Sequence, residues 1–270
     1  MNNVTIVLSI KNEEERIRFT LNSLVQFPKV LLLDKNSNDK TKSIVKTYKN
    51  VEYFFLKDNV PNIYSYEVKF LVDKVKTDWV MPLTASDIIS NELVEKIKTL
   101  FSKKLINNYD TIELPYKPYF FGLNNKFSPW NQEYRGYIFK TENLVINEKS
   151  IHKAFYFKSS RIYRVKKMNS SALYHLTHEN FDGVLNRYNR YLKLEKYDEI
   201  SLNDQLKYIL KQTIKLFILK GNFFRGKAAI ALSFSFLSYH MLKYVALWDN
   251  KYGKGNETYD ELREKILKKE

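Results

Sequence analysis

A chain of 270 residues that is 44% hydrophobic and 15% aromatic can bury a core for one large domain, or for a domain with a substantial appendage. With no cysteine, it has no disulfide framework, thiolate metal site, thiol redox chemistry or cysteine nucleophile, which suits a reducing cytoplasm. The formal charge of +15 fits a solvated basic surface, or a face for a negative partner: nucleic acid, an anionic membrane surface or a phosphate-bearing small molecule. The lysines are spread along the whole length without forming a stripe, and there is no signature of a nucleic-acid-binding module.

The N-terminal "VTIVLSI" is too short for a signal peptide core or a membrane span and reads as a first strand, so the chain is expected to stay in the cytosol. Through the first hundred residues, apolar runs take turns with stretches of helical spacing. "VTIVLSI" precedes "EEERIRFTLNSLVQF", "KVLLLD" precedes "DKTKSIVKTY", "VEYFF" precedes "YSYEVKFLVDKV", and "WVMPL" precedes "NELVEKIKTLF". This βαβαβαβα order implies a largely parallel sheet covered by helices. Asn12 and Glu15 have the spacing of a capping box, and Asp39 reads as an N-cap.

Ligands of such sheets bind beyond the carboxyl ends of the strands. That directs attention to Ser9 to Glu14, Asp34 to Asp39, Lys57 to Asn62, and Thr84 to Asp87. None of these carries a glycine-rich phosphate loop, and the chain has only seven glycines. A nucleotide would need side chains or a metal for its phosphates. In "WVMPLTASDIIS" the fourth strand delivers two hydroxyls and then one carboxylate, Asp87, before the next helix.

From about 105 to 180 the sequence is rich in Tyr, Phe, Pro and Asn. It reads as antiparallel strands and long loops closing over the sheet edge, a place for an acceptor pocket. Beyond 180 the pattern is helical. The stretch from Ala228 to Trp248 is about long enough to span a bilayer, but Ser233, Ser235, Ser238, His240 and Lys243 interrupt it. With "YILKQTIKLFILKGNFFRGK" before it, it offers apolar faces flanked by lysines. That fits a hairpin packed on the α/β domain or on a second subunit, and equally a helix in a membrane interface.

The turns "KNEEE" after the first strand and "DKNSNDKT" after the second resemble those of inverting family 2 glycosyltransferases with the GT-A fold. Within that family, "IHKAF", "YHLTHENFDGVLNRYNRYLKLEK" and "FILKGNFFRGKAAIALSFSFLSYHMLKYVALWD" are most similar to the bacterial lipopolysaccharide-core β-glycosyltransferase group. The resemblance implies a GT-A α/β domain over residues 1 to 180, with a mixed, largely parallel sheet, and a helical extension over 181 to 270. It implies transfer of a sugar from a nucleoside diphosphate donor, UDP-linked by preference, to a saccharide acceptor of a surface glycolipid or polysaccharide at the cytoplasmic face of a membrane. A homo-oligomer is compatible with it, and nucleic acid is not an expected partner.

By the same resemblance Asp34 would recognise the base of the donor, with Lys11, Asn12 and Glu14 lining the same site. The family's cation-like slot before the apolar part of the third helix falls on Val68, where Lys69 would substitute. The family ends its fourth strand in Asp-x-Asp, which holds a divalent cation, whereas this chain has Thr84, Ala85 and Ser86, with Asp87 in the following acidic slot. Neutral hydroxyls are poor ligands for Mg²⁺ or Mn²⁺. Three readings therefore stand: a cation held by Asp87 and His175 with the diphosphate, a metal-free site in which basic side chains and hydroxyls take the departing diphosphate, and a non-catalytic binding or partner subunit. Asp87, Glu133 and His152 are the candidates for the base or its surroundings. His152 falls in a Val-His-Glu-like motif whose Glu is Lys153 here.

Overall fold

The computed structural model describes residues 2–56, 64–146, 155–157, 161–168, 170–194, 200–253 and 255–268. His152, Lys153 and the expected ligand-facing stretch from Lys57 to Asn62 lie outside them. The chain divides into two compact units, one of Met1–Asn124 with Asn131–Glu179 and one of Asn125–Trp130 with Asn180–Glu270.

The first unit is built on a mixed sheet. Strands β1 (Val4–Ile10), β2 (Val30–Asp34), β3 (Val51–Phe55) and β4 (Trp79–Leu83) are parallel, in the order β3-β2-β1-β4. β2 and β4 are buried throughout, as expected for strands covered on both faces, and this is why they read as unbroken apolar runs. The period-two alternation of β1 divides its side chains between two packing layers. Val4, Ile6, Leu8 and Ile10 join the larger core with Ile17 and Leu21 of α1 (Ile17–Ser23) and Leu93, Val94 and Ile97 of α4 (Asn91–Ser102). Val7 joins Leu31, Leu33 and Val80 against Leu71 of α3 (Tyr64–Val72).

Past β4 the sheet continues as β7 (Tyr134–Lys140), β6 (Thr111–Phe120), β11 (Leu173–Thr177) and β5 (Asp87–Ile89). β7 is antiparallel to both β4 and β6, so the expectation of antiparallel strands holds there. β11 and the short β10 (Ile162–Arg164), however, run parallel to β6 along successive parts of it. The segment extends the sheet, where a cover over its edge was expected. β8 (Leu144–Ile146) and β9 (Phe155–Phe157) form a separate antiparallel pair. Asp110, buried just before β6, accepts both forks of the Arg161 guanidinium at 2.7 Å and has Lys140 at 3.3 Å, which fastens the chain ahead of β10 to the end of β7.

Two local expectations are corrected. Asn12 and Glu15 form no capping box: α1 starts later, at Ile17, and has no side-chain cap, while Asn12 adopts a left-handed backbone (φ 53°) and serves a different turn. No helix follows directly on Asp87 either. β5 intervenes and pairs antiparallel with β11, setting His175 opposite Asp87, and α4 begins only after Ser90, whose hydroxyl accepts the Leu93 amide at 3.3 Å. A three-residue strand has too little pattern to be seen without its partner.

The second unit is helical: α5 (Phe181–Leu194), α6 (Leu202–Thr213) continued by a wider π-helical turn (Ile214–Leu219), α7 (Lys227–Tyr252) and α8 (Gly255–Leu267). Leu216, Phe217 and Leu237 form its buried centre, and the Gln205 amide donates to the His240 carbonyl at 2.9 Å. Between α6 and α7 the chain turns at Gly221, whose φ of 62° suits a residue without Cβ. Buried Asn222 then donates to Ser233 Oγ at 2.8 Å and to the Phe127 carbonyl at 3.1 Å.

Leu32 has no solvent exposure and lies in the larger core. Leu32→Ala should lower the unfolding free energy by about 3 kcal/mol, read as a shifted midpoint in urea denaturation followed by circular dichroism.

Candidate functional site

The tips of β1 and β2 are laced together. Asn12 N–H donates to Ser37 Oγ at 2.8 Å, Glu13 N–H to Thr41 Oγ1 at 2.8 Å, and Glu14 N–H to Asp39 Oδ2 at 3.1 Å. In return Asn38 N–H donates to Asn12 Oδ1 at 3.0 Å and Lys40 N–H to Glu14 Oε2 at 2.8 Å. Short polar side chains after the strands thus satisfy the amides of the neighbouring loop. Asp39, expected as the N-cap of the second helix, does not cap it: in α2 (Thr41–Val45) the N-cap is Lys40 with no side-chain cap bond, and Asp39 Oδ1 instead accepts Thr41 N–H at 3.0 Å in the turn before it. Burial raises the Asp39 pKa, but the Thr41 and Glu14 donors outweigh it and hold the carboxyl below its ordinary value.

Asp34 ends β2 fully buried. Its Oδ1 accepts Ser37 N–H at 2.8 Å and Ser37 O–H at 2.6 Å, and its Oδ2 accepts the Tyr53 phenol at 2.8 Å. Burial and the Asp34 charge push the Tyr53 pKa well up, so the phenol stays a donor. Of roughly four acceptor positions on a carboxylate, three are used, and Asp34 holds the turn between β2 and α2. Glu67 of α3, also buried, accepts Ser9 O–H at 2.6 Å and lies 2.8 Å from Lys35 Nζ. Val68, in the slot where a cation was sought, is buried, while Lys69 is exposed on α3, as Lys11 is beyond β1.

The tip of β4 forms a second group. Asp87 is buried; its Oδ2 accepts Thr84 N–H at 2.8 Å and Thr84 O–H at 2.9 Å, and its Oδ1 lies 2.8 Å from His175 Nδ1. Pairing of β5 with β11 therefore converts an isolated carboxylate and a histidine 88 positions apart into a hydrogen-bonded pair. With Nδ1–H donated to Asp87, His175 carries its lone pair on Nε2. The Tyr116 ring lies 5.9 Å from His175. Arg135 sits over the Tyr116 and Tyr137 rings, 5.6 and 5.2 Å from their centroids, and is exposed. Burial first, and then the nearby Asp87 charge, raises the Tyr137 pKa well above the ordinary phenol value. Burial likewise raises that of Tyr116 against the pull of Arg135.

Arg16 links the two groups. Its guanidinium pairs with Glu13, with one nitrogen 3.0 Å from Oε1, and reaches Ser86 Oγ at 3.3 Å and Glu179 at 4.0 Å. Ser86 is the residue that the resemblance sets at the second position of Asp-x-Asp. Arg16, Arg135, Tyr116 and Tyr137 were not among the residues picked from the sequence. The sequence signal for all but Tyr116 is "KNEEER", whose last residue is the cation beyond β1, and "YRGY", which carries Arg135 and Tyr137 directly after Glu133. That acid, Glu133, has a side chain 70% exposed and 3.5 Å from Lys167. Its backbone carbonyl accepts the Tyr116 N–H at 2.9 Å, while its carboxylate points to Lys167.

The residues at this tip fit a divalent cation poorly. Asp87 and His175 bond directly to each other, Thr84 takes the other carboxylate oxygen, and Ser86 faces a guanidinium. A hard cation needs several unengaged, preferably charged oxygens. Among the described residues no group of three or more acidic or histidine side chains could hold a metal.

A mixed, largely parallel sheet with helices on both faces of its parallel half, and with loops laced together at its strand tips, is the α/β architecture of the GT-A kind. The chain belongs to glycosyl transferase family 2, whose model matches residues 5–168. No curated protein matches the sequence. Among solved structures, S. aureus TarS 1-349 in complex with UDP-GlcNAc is 14% identical, with 93% of this chain and 92% of that one covered and a TM-score of 0.49. Glucosyl-3-phosphoglycerate synthase from Mycobacterium tuberculosis in complex with phosphoglyceric acid is 12% identical, with 64% and 72% covered and a TM-score of 0.44. The same synthase with Mn²⁺, UDP and glucosyl-3-phosphoglycerate gives 13%, 64% and 72%, and 0.39. Likenesses this distant say nothing about the substrate of this chain.

Asp39→Ala should cost about 1 kcal/mol at neutral pH, since it removes the acceptor of the Glu14 and Thr41 amides. Because the folded-state pKa lies below the ordinary 3.8, the charged carboxylate stabilises the fold above that value, and the benefit disappears as pH falls through the lower one. The stability difference from wild type, followed by urea denaturation between neutral pH and the acid range, should shrink accordingly.

Proposed function

We propose that the protein transfers a sugar, with inversion and without a protein-held metal, from a nucleoside diphosphate sugar to a hydroxyl of a surface glycolipid or polysaccharide, of the kind handled by the lipopolysaccharide-core group. The observation that carries the metal-free reading is the direct bond between Asp87 and His175 at 2.8 Å where related enzymes are expected to hold a cation. The base of the donor rests on the Asp34 turn with Asn12, Ser37 and Tyr53 around it. The diphosphate lies toward Thr84, Ser86 and Arg16, and Arg135 adds positive potential from the acceptor side.

In the chemical step His175 Nε2 takes the proton of the acceptor hydroxyl as its oxygen attacks the anomeric carbon. The bond from that carbon to the diphosphate oxygen breaks, and the electron pair leaves on the diphosphate. Asp87 touches no reacting atom: it positions His175 and stabilises the imidazolium that forms, so it is a positioning residue. Arg16 meets the charge that develops on the leaving group. Its pairing with Glu13 keeps the guanidinium at the strand tip, and its pKa is raised because Glu13 and the neighbouring acids outweigh the opposing effect of burial.

The test is a panel of UDP-, GDP- and ADP-sugars, titrated calorimetrically and assayed for release of the nucleoside diphosphate, with Mn²⁺ or with EDTA. Binding and turnover should be insensitive to EDTA. His175→Gln should lower kcat by roughly a hundredfold or more with little change in donor affinity, and Arg16→Gln should lower both. Turnover that requires Mn²⁺ would overturn the metal-free mechanism. Binding without turnover under every condition would instead mark a nucleotide-sugar-binding partner subunit.

A further inference from the structure

We infer that the turn between α6 and α7 is a docking surface for an anionic lipid bilayer. It extends the reading above by naming the surface that would bring the enzyme to a membrane-held acceptor, and it stands on observations separate from the sugar site. In a water-soluble unit the residues at a turn should be polar, yet here Ile218, Leu219, Phe223 and Phe224 are 72%, 76%, 53% and 91% exposed. They project from a rigid frame. The π-helical turn Ile214–Leu219 and the short 3₁₀ turn Asn222–Phe224 flank Gly221, Phe217 stacks on Phe223 at 4.2 Å, and Asn222 is tied to Ser233.

Charge completes the case. Lys215, Lys220, Arg225 and Lys227 are exposed around the apolar tip, and residues 205 to 248 contain no Asp or Glu. A ring of cations around protruding aromatics matches a bilayer with acidic headgroups: the rings enter the acyl boundary while the ammonium and guanidinium groups stay among the phosphates. A second copy of the chain is a poorer occupant, since it would bring the same cations against these. α7 is itself long and apolar enough to cross a membrane, but Ala229, Leu232, Ser233, Leu237 and Leu247 are buried along it, and insertion across the bilayer would strip those contacts.

Sedimentation of the full chain with vesicles tests this, using phosphatidylcholine alone and phosphatidylcholine mixed with phosphatidylglycerol. Wild type should sediment with the mixed vesicles and stay in solution with the neutral ones. Phe224→Ser should weaken binding by at least roughly tenfold, and Lys220→Gln by roughly fivefold, with the unfolding midpoint unchanged because both side chains are exposed. Equal binding to both vesicle types, no binding to either, or undiminished binding of Phe224→Ser would overturn the proposal. So would a concentration-dependent dimer, seen by sedimentation equilibrium, that Phe224→Ser abolishes. Lipid binding by a protein that transfers no sugar would leave this inference standing and remove the catalytic reading, while soluble transfer without lipid binding would do the reverse.

Discussion

A carboxylate taken out of water must be met by donors, and the buried Asp87 governs the architecture around it. An unpaired charge at that depth would cost several kcal/mol. The backbone and hydroxyl of Thr84 satisfy one oxygen, and His175 satisfies the other. To bring the histidine there, the chain after β4 makes a short strand against β11, and β11 in turn must lie beside β6. The pairing of β5 with β11 and the orientation of the imidazole thus together satisfy one desolvated charge.

The same constraint makes sense of the departure at the end of the fourth strand. Two further carboxylates at positions 84 and 86 would add negative charge beside Asp87 and require a cation to balance it. Hydroxyls require none. Thr84 turns inward as a donor to Asp87, and Ser86 is left to an arginine from the preceding loop. Positive charge at the tip is therefore carried by Arg16, from the chain itself. Among the described residues this tip has no acidic cluster of the kind a hard cation prefers.

In the parallel half of the sheet, β2 and β4 were legible in the sequence because they are buried throughout and so appear as apolar runs of strand length, while the edge strand β3 is only partly covered. The helices were legible in kind, but "EEERIRFTLNSLVQF" yields a helix only over Ile17–Ser23, because the amides of Glu13 and Glu14 are held by side chains of the neighbouring loop. Tertiary pairing hid the rest. β5 has three residues, and nothing near it in sequence shows that residues 173 to 177 will lie alongside. Arg135 gains its meaning from rings contributed by two adjacent strands, and Tyr53 from a carboxylate on β2. Single-residue motifs such as Asp34 and Asp87 could be found by spacing, whereas their partners, set by long-range register, could not.

The lacing of the first two strand tips has a mechanical consequence. Amides 12, 13 and 14 and amides 37, 38, 40 and 41 are each engaged by a side chain of the same pair of loops, so neither segment can swing outward without uncoupling the other. In solution these surface segments should trade their backbone protons with the solvent slowly and in concert, in the manner of strand interiors. A cradle that stiff would be shaped before any nucleotide arrives, with little ordering entropy left for the ligand to supply on arrival.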